Sequence, residues 1–127
     1  MTTRAALATV RRHLLGHRGA VEETPFGPQT LAYKVAGKIF ALVAQDETPL
    51  RISLKVDPDR GAELRAAFPE TVAHAPYMDR RHWISVTFGR ELPDAEVLGL
   101  AEDSYDLVVA RLPGKVRDAL VDGRDAG

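Results

Sequence analysis

The chain has no cysteine among its 127 residues. Disulfides, thiolate metal sites and cysteine nucleophiles are excluded together. Nor does any apolar run approach the roughly 20 residues that a bilayer-spanning helix needs. The first segment, MTTRAALATVRRHLLGHR, has neither the apolar core nor the small-residue cleavage site of a secretion signal, so a cytoplasmic protein with no membrane partner is expected. A surplus of positive charge is missing too: 17 Lys and Arg face 18 Asp and Glu, a formal net charge of −1. Dedicated nucleic-acid binders usually carry a basic excess. Any anion-binding surface here has to be a local patch, balanced by acid elsewhere. Aromatics are few, at 6%, with a single tryptophan. The glycines of GHRG and PFGP have neither the spacing nor a helix to open that a phosphate loop requires, so no cofactor is expected.

What is present describes one globular domain. Hydrophobic residues make up 45% of the chain and charged residues 28%, enough for one core but not two. The domain is expected over residues 1–120, with VDGRDAG as a frayed tail over 121–127. Leu7, Val10 and Leu14 recur at helical spacing, so a helix is expected from Thr3, as N-cap, to Leu15, before Gly16. Ala20 to Glu23 reads as extended, and Thr24 to Pro28 as a turn. TLAYKVAGKIFALV has the alternation of a hairpin with Ala36-Gly37 at its tip.

RISLKV alternates again, with Ile52, Leu54 and Val56 on one face and Arg51, Ser53 and Lys55 on the other. Asp57 and Pro58 are an N-cap and a first helical residue. The helix they open is expected to turn Leu64, Ala67 and Phe68 inward and to end at Pro69. A strand from His82 to Phe88 puts His82, Ile84, Val86 and Phe88 on one side and Trp83, Ser85 and Thr87 on the other. A last long helix starts near Pro93-Asp94 and stops at Pro113-Gly114, with Val97, Leu98, Ala101, Tyr105, Val108 and Leu112 as its stripe. Neighbouring strands joined by short turns imply an α+β fold, an antiparallel sheet with helices packed on one face.

If neighbouring strands pair, their outward residues collect on one surface. Lys34, Arg51, Ser53, Lys55, Trp83, Ser85 and Thr87 would share it, with Arg80 and Arg81 at the rim. Such a face can hold phosphates by charge and stack a base on the indole. It is equally the ordinary solvated face of a sheet, whose tryptophan lies half-buried under arginine stems.

Several stretches carry a family likeness. Pro25-Phe26-Gly27, Lys34 with Gly37-Lys38-Ile39-Phe40, Leu54-Lys55-Val56-Asp57-Pro58, Tyr77-Met78-Asp79-Arg80-Arg81-His82-Trp83 and Ser104-Tyr105-Asp106-Leu107-Val108 follow one another in order. In this succession the chain resembles the MmcQ/YjbR family over roughly Leu7 to Arg117. Val56 departs from the pattern, since relatives commonly carry cysteine there. The resemblance implies a CyaY-like two-layer sandwich, described as a double wing, and DNA binding suggested by that shape. It maps the family's basic and aromatic motif residues onto Lys34, Lys38, Lys55, Arg80, Arg81, His82 and Trp83. With Arg51 from the alternation, these form the expected nucleic-acid-binding set. The alternative is a protein-interaction or small anionic-ligand module, with Trp83 and Tyr77 as anchors. A CyaY-like shape also raises iron binding, but the first helix is basic here (Arg4, Arg11, Arg12).

Other chemistry is thinly signalled. His13 and His17 sit four apart, a metal-compatible spacing, but without a third ligand and with Gly16 between them, so no metal site is expected. Glu22-Glu23 and Glu102-Asp103 read as solvated acidic pairs. His82 beside Asp79 has the residue types of a general base, yet the alternation turns it towards the core and supplies no nucleophile. No catalytic residue is expected.

Overall fold

Residues 35–38 show how local chemistry sets the architecture. Ala36 and Gly37 both have positive φ, 49° and 79°, the combination that lets a two-residue turn follow the twist of its strands. The turn joins β2 (Thr30–Val35) to β3 (Lys38–Ala44), as the alternation predicts. The computed structural model describes residues 3–122, the side chain of Thr3 excepted. The cap expected of Thr3 and residues 123–127 of the expected tail therefore lie outside it.

The other elements are α1 (Thr3–Leu15), β1 (Ala20–Glu23), β4 (Arg51–Lys55), α2 (Pro58–Ala67), β5 (Val72–His74), β6 (Trp83–Thr87), α3 (Asp94–Ala110) and α4 (Gly114–Val121). The six strands form one sheet in the order β1-β2-β3-β4-β6-β5, and every neighbouring pair is antiparallel. Helix α3 crosses β3 and β4, α1 lies against β1 and α3, and α2 covers β5 and β6. The result is the expected α+β sandwich. Its core holds Val10, Leu14, Tyr33, Phe40, Ile52, Leu54, Ile84 and Val86, all fully buried.

Local signals explain most element ends. The Asp57 carboxylate accepts the amides of Asp59 (3.0 Å) and Arg60 (3.5 Å), and Pro58 occupies the first turn, where its missing N–H costs nothing. The expected inward stripe of α2 is corrected. Leu64 and Phe68 are half-buried, Ala67 is exposed, and the residue the helix buries is Gly61. A Cβ there would stand 2.9 Å from Val56 Cγ1, so this helix approaches the sheet through a missing side chain rather than through a broad apolar face. In α3, Leu100 and Ser104 are buried, whereas Leu98 and Tyr105 of the expected stripe are half-buried.

The expected stop before Pro113-Gly114 holds for α3, which ends at Ala110. Pro113 also precedes a further helix, α4, which the sequence does not predict and which includes Val121, the first residue of the expected tail. Arg18 holds its far end, donating from Nη1 to the carbonyls of Leu120 (2.9 Å) and Val121 (2.7 Å). That contact spans about a hundred residues of chain, so no local pattern announces it. Among the described residues no helix is long and apolar enough to cross a membrane.

Candidate anion-binding surface

The pairing register decides what the open face of the sheet carries. Arg51 lies opposite Thr87, Ser53 opposite Ser85, and Lys55 opposite Trp83. Leu42 and Ala44 stand beside Ser53 and Arg51, and Lys34 continues the same face beside Val21. Directly opposed residues in a sheet share a face. The pleat thus brings Lys34, Arg51, Ser53, Lys55, Trp83, Ser85 and Thr87 together, away from the helices.

Sharing a face does not leave each group available. Lys34 Nζ is 2.9 Å from Glu23. Arg51 reaches across the sheet, donating from Nε (3.3 Å) and Nη2 (3.0 Å) to Ser85 Oγ; its Nη1 lies 3.6 Å from Glu47. Trp83 is only 8% exposed, so its ring offers a nucleobase no free stacking surface. His82 Nδ1 is 3.1 Å from Asp79, with its side chain 37% exposed. The inward orientation expected for His82 is corrected: β6 begins at Trp83, and the alternation does not extend back into the preceding turn. No hydroxyl side chain bonds to His82 among the described residues.

The remaining four cations of the expected set lie at one end of the sheet. Lys38 is at the tip of the β2–β3 hairpin, Lys55 ends β4, and Arg80 and Arg81 precede β6. The register puts all four at the same end of the sheet. None makes an ion pair among the described residues. Asp79 organises the loop that carries the two arginines. Its Oδ1 accepts the Arg81 amide at 2.8 Å, while the His74 ring bonds the Arg80 carbonyl at 3.3 Å. The Arg81 amide first, and His82 second, hold the Asp79 carboxyl below its ordinary pKa, so it stays ionised and keeps the turn. Arg80 and Arg81 are left exposed to solvent.

The other chemical candidates resolve as structure. Glu22 is not a solvated acid: it takes a forked contact from Arg11 at 2.7 and 3.0 Å and the Tyr33 hydroxyl at 2.5 Å. Arg11 chiefly, with help from Tyr33, pushes its pKa down. The network fastens α1 to β1 and β2. Asp103 pairs with Arg60 at 2.8 Å. The rings of His13 and His17 meet edge-on, 5.1 Å apart, and His17 also packs on Tyr105 and Phe40. Among the described residues no group of three possible metal ligands gathers there or elsewhere.

Two properties of residues singled out in the sequence are not legible there. Ser85 is buried on the open face, and Tyr77 is fully exposed with φ +65°. Alternation shows that a serine faces outward but not what covers it. A left-handed tyrosine has no local signature.

A family model described as YjbR matches residues 15–107. The chain belongs to the YjbR family. The protein YbdF of Escherichia coli O157:H7 is 36% identical over 85 residues, 67% of this chain and 69% of that protein. YjbR of Escherichia coli K12 is 32% identical over 88 residues, 69% and 74% of the two chains. The crystal structure of DR2400 from Deinococcus radiodurans, a DUF419-domain protein, superposes with a TM-score of 0.84 at 33% identity, covering 95% of this chain and 89% of that one. A Pseudomonas syringae protein matches with a TM-score of 0.57 at 25% identity, over 69% and 86%. The family match takes in the β2–β3 hairpin and the Asp79 loop.

Proposed function

We propose that the protein is a small cytoplasmic DNA-associated domain that holds phosphates at one end of its sheet. The hairpin tip and the Asp79 loop act as two basic wings. One observation carries the proposal: Lys38, Lys55, Arg80 and Arg81 lie at that end of the sheet, and none has a carboxylate in ion-pair range among the described residues. Lys34, Arg51, His82 and Trp83 drop out of the contact set. Lys34 and His82 are already paired with acids, Arg51 lies at the opposite end of β4 from Lys55, and the indole is covered.

Four cations on a chain of net charge −1 support weak, sequence-independent binding. Each phosphate contact on duplex DNA adds about −0.9 to the slope of log K against log salt, so a slope between about −3 and −4 is expected. A Kd on the order of 10 μM at low salt is the matching affinity. Fluorescence anisotropy with labelled single- and double-stranded oligonucleotides measures both. Absence of binding to either form at low salt overturns the proposal.

A further inference from the structure

Two cavities on the open face share Glu47, Arg51 and Ser85, and the sheet-end proposal uses none of these. One encloses about 330 Å³ and is bordered by Leu42, Ala44, Ser53, Pro76 and Tyr77 as well as Asp46. The other encloses about 290 Å³ and is more polar, with Thr71, Thr87 and Arg90 on its walls. A volume near 300 Å³ is at the lower end of small-molecule sites. Arg51 lines both.

The polar groups around Arg51 are prearranged. Ser85 Oγ accepts two N–H groups from Arg51, which leaves the Ser85 hydroxyl proton without an acceptor among the described residues. The third arm of Arg51 reaches Glu47 only at 3.6 Å, beyond ordinary hydrogen-bond length. One N–H edge and one O–H therefore lack a good acceptor at the same place. A carboxylate supplies two acceptor oxygens, one for the Nη1 edge of Arg51 and one for the Ser85 hydroxyl.

The rest of the first cavity specifies what is attached. Leu42, Ala44 and Pro76 supply apolar surface. Tyr77 holds a fully exposed ring at the edge in a left-handed backbone conformation. Such a conformation is strained for a non-glycine residue and collects at ligand clamps. Asp46 and Glu47 also border this cavity, so a polyanion such as nucleic acid is repelled from it.

We infer that this face binds a small monocarboxylate with an apolar body. The carboxylate lies on Arg51 and Ser85, and the body lies between Leu42 and Tyr77. This site is separate from the sheet-end cations, and nucleic acid is excluded from it by its acids.

Heteronuclear NMR titration of the full chain with 3-phenylpropionate tests the inference, with 3-phenylpropanamide as the uncharged control. Saturable shifts centred on the Ser53, Tyr77 and Ser85 amides are expected, with the amide binding at least about tenfold more weakly. Arg51→Gln weakens the acid by about tenfold and leaves the amide unchanged, while Tyr77→Ala weakens both by several-fold. Each variant's spectrum reports that it is folded, and two variants on different elements keep the result independent of either one. A short peptide with a free C-terminal phenylalanine, against its amidated form, distinguishes a chain terminus from a free acid. Tighter binding of the free-carboxyl peptide than of 3-phenylpropionate overturns the small-molecule assignment. Equal affinity for acid and amide, unchanged binding in Arg51→Gln, or no saturation by about 10 mM overturns the site.

Discussion

The Ser104 hydroxyl stands 2.8 Å from the amide nitrogen of Lys55, accepting its N–H while donating to the Phe40 carbonyl at 2.6 Å. One side chain of α3 thus satisfies two backbone groups where the β3–β4 ladder ends at Ala41 and Leu54. Ser104 is fully buried, so no water replaces it. Ser104→Ala strands a donor and an acceptor, and a loss of about 2–3 kcal/mol is expected in urea unfolding. A change under about 0.5 kcal/mol would show that neither group depends on the hydroxyl.

Gly61→Ala sets two effects against each other. Alanine favours the interior of α2 by about 1 kcal/mol, but its Cβ would stand 2.9 Å from Val56 Cγ1 and 3.5 Å from Ile84 Cγ2. Overpacking at about 1–3 kcal/mol wins, so the variant should be less stable. Val56→Ala in the same chain should recover part of the loss, giving a double-mutant coupling of about 1 kcal/mol. Strict additivity of the two would refute the steric account.

The hairpin tip offers a gain instead. Ala36 sits at φ 49°, a conformation costing an ordinary L-residue about 1 kcal/mol that asparagine tolerates better. Ala36 is exposed, so little packing is at stake. Ala36→Asn should stabilise the fold by about 0.5–1 kcal/mol in urea unfolding. A loss of stability would mean that the turn is not a limiting strain.

Mild acid should weaken the junction of α1 and α3. Burial first, then the neighbouring His17, pushes the His13 pKa below its ordinary 6.5, with the Leu98 backbone and then Glu102 opposing. The folded state therefore takes up that proton later than the unfolded chain as pH falls. This contribution to stability is complete above about pH 6.5 and is lost as pH drops towards the folded pKa. His13→Gln should flatten the stability profile between about pH 7 and 5. Glu22, whose pKa Arg11 holds down, acts in a separate window. Its contribution is present above 4.5 and lost as pH falls through its lower folded value.

Alanine substitutions separate the two ends of the cationic set. Arg80→Ala and Arg81→Ala should each reduce the salt slope of DNA binding by about one unit. Lys34→Ala should leave it unchanged, because Lys34 is paired with Glu23 at 2.9 Å. A larger loss for Lys34→Ala than for the arginines would move the interface onto the sheet face.

The strand faces were legible because their period of two is a property of the chain itself: Ile52 and Leu54 against Arg51 and Ser53 needs no partner to be read. The Asp57-Pro58 helix start and the Ala36-Gly37 turn were legible for the same reason, since each acts within a few residues. Tertiary structure alone decided which charges remain free. Ser85 meets Arg51 from 34 positions away, Tyr33 meets Glu22 from across a strand pair, and Arg18 secures α4 from the opposite end of the sequence. Alternation assigns a side chain to a side of the sheet. Whether that side chain is paired, covered or open depends on which distant segment the folded chain lays against it.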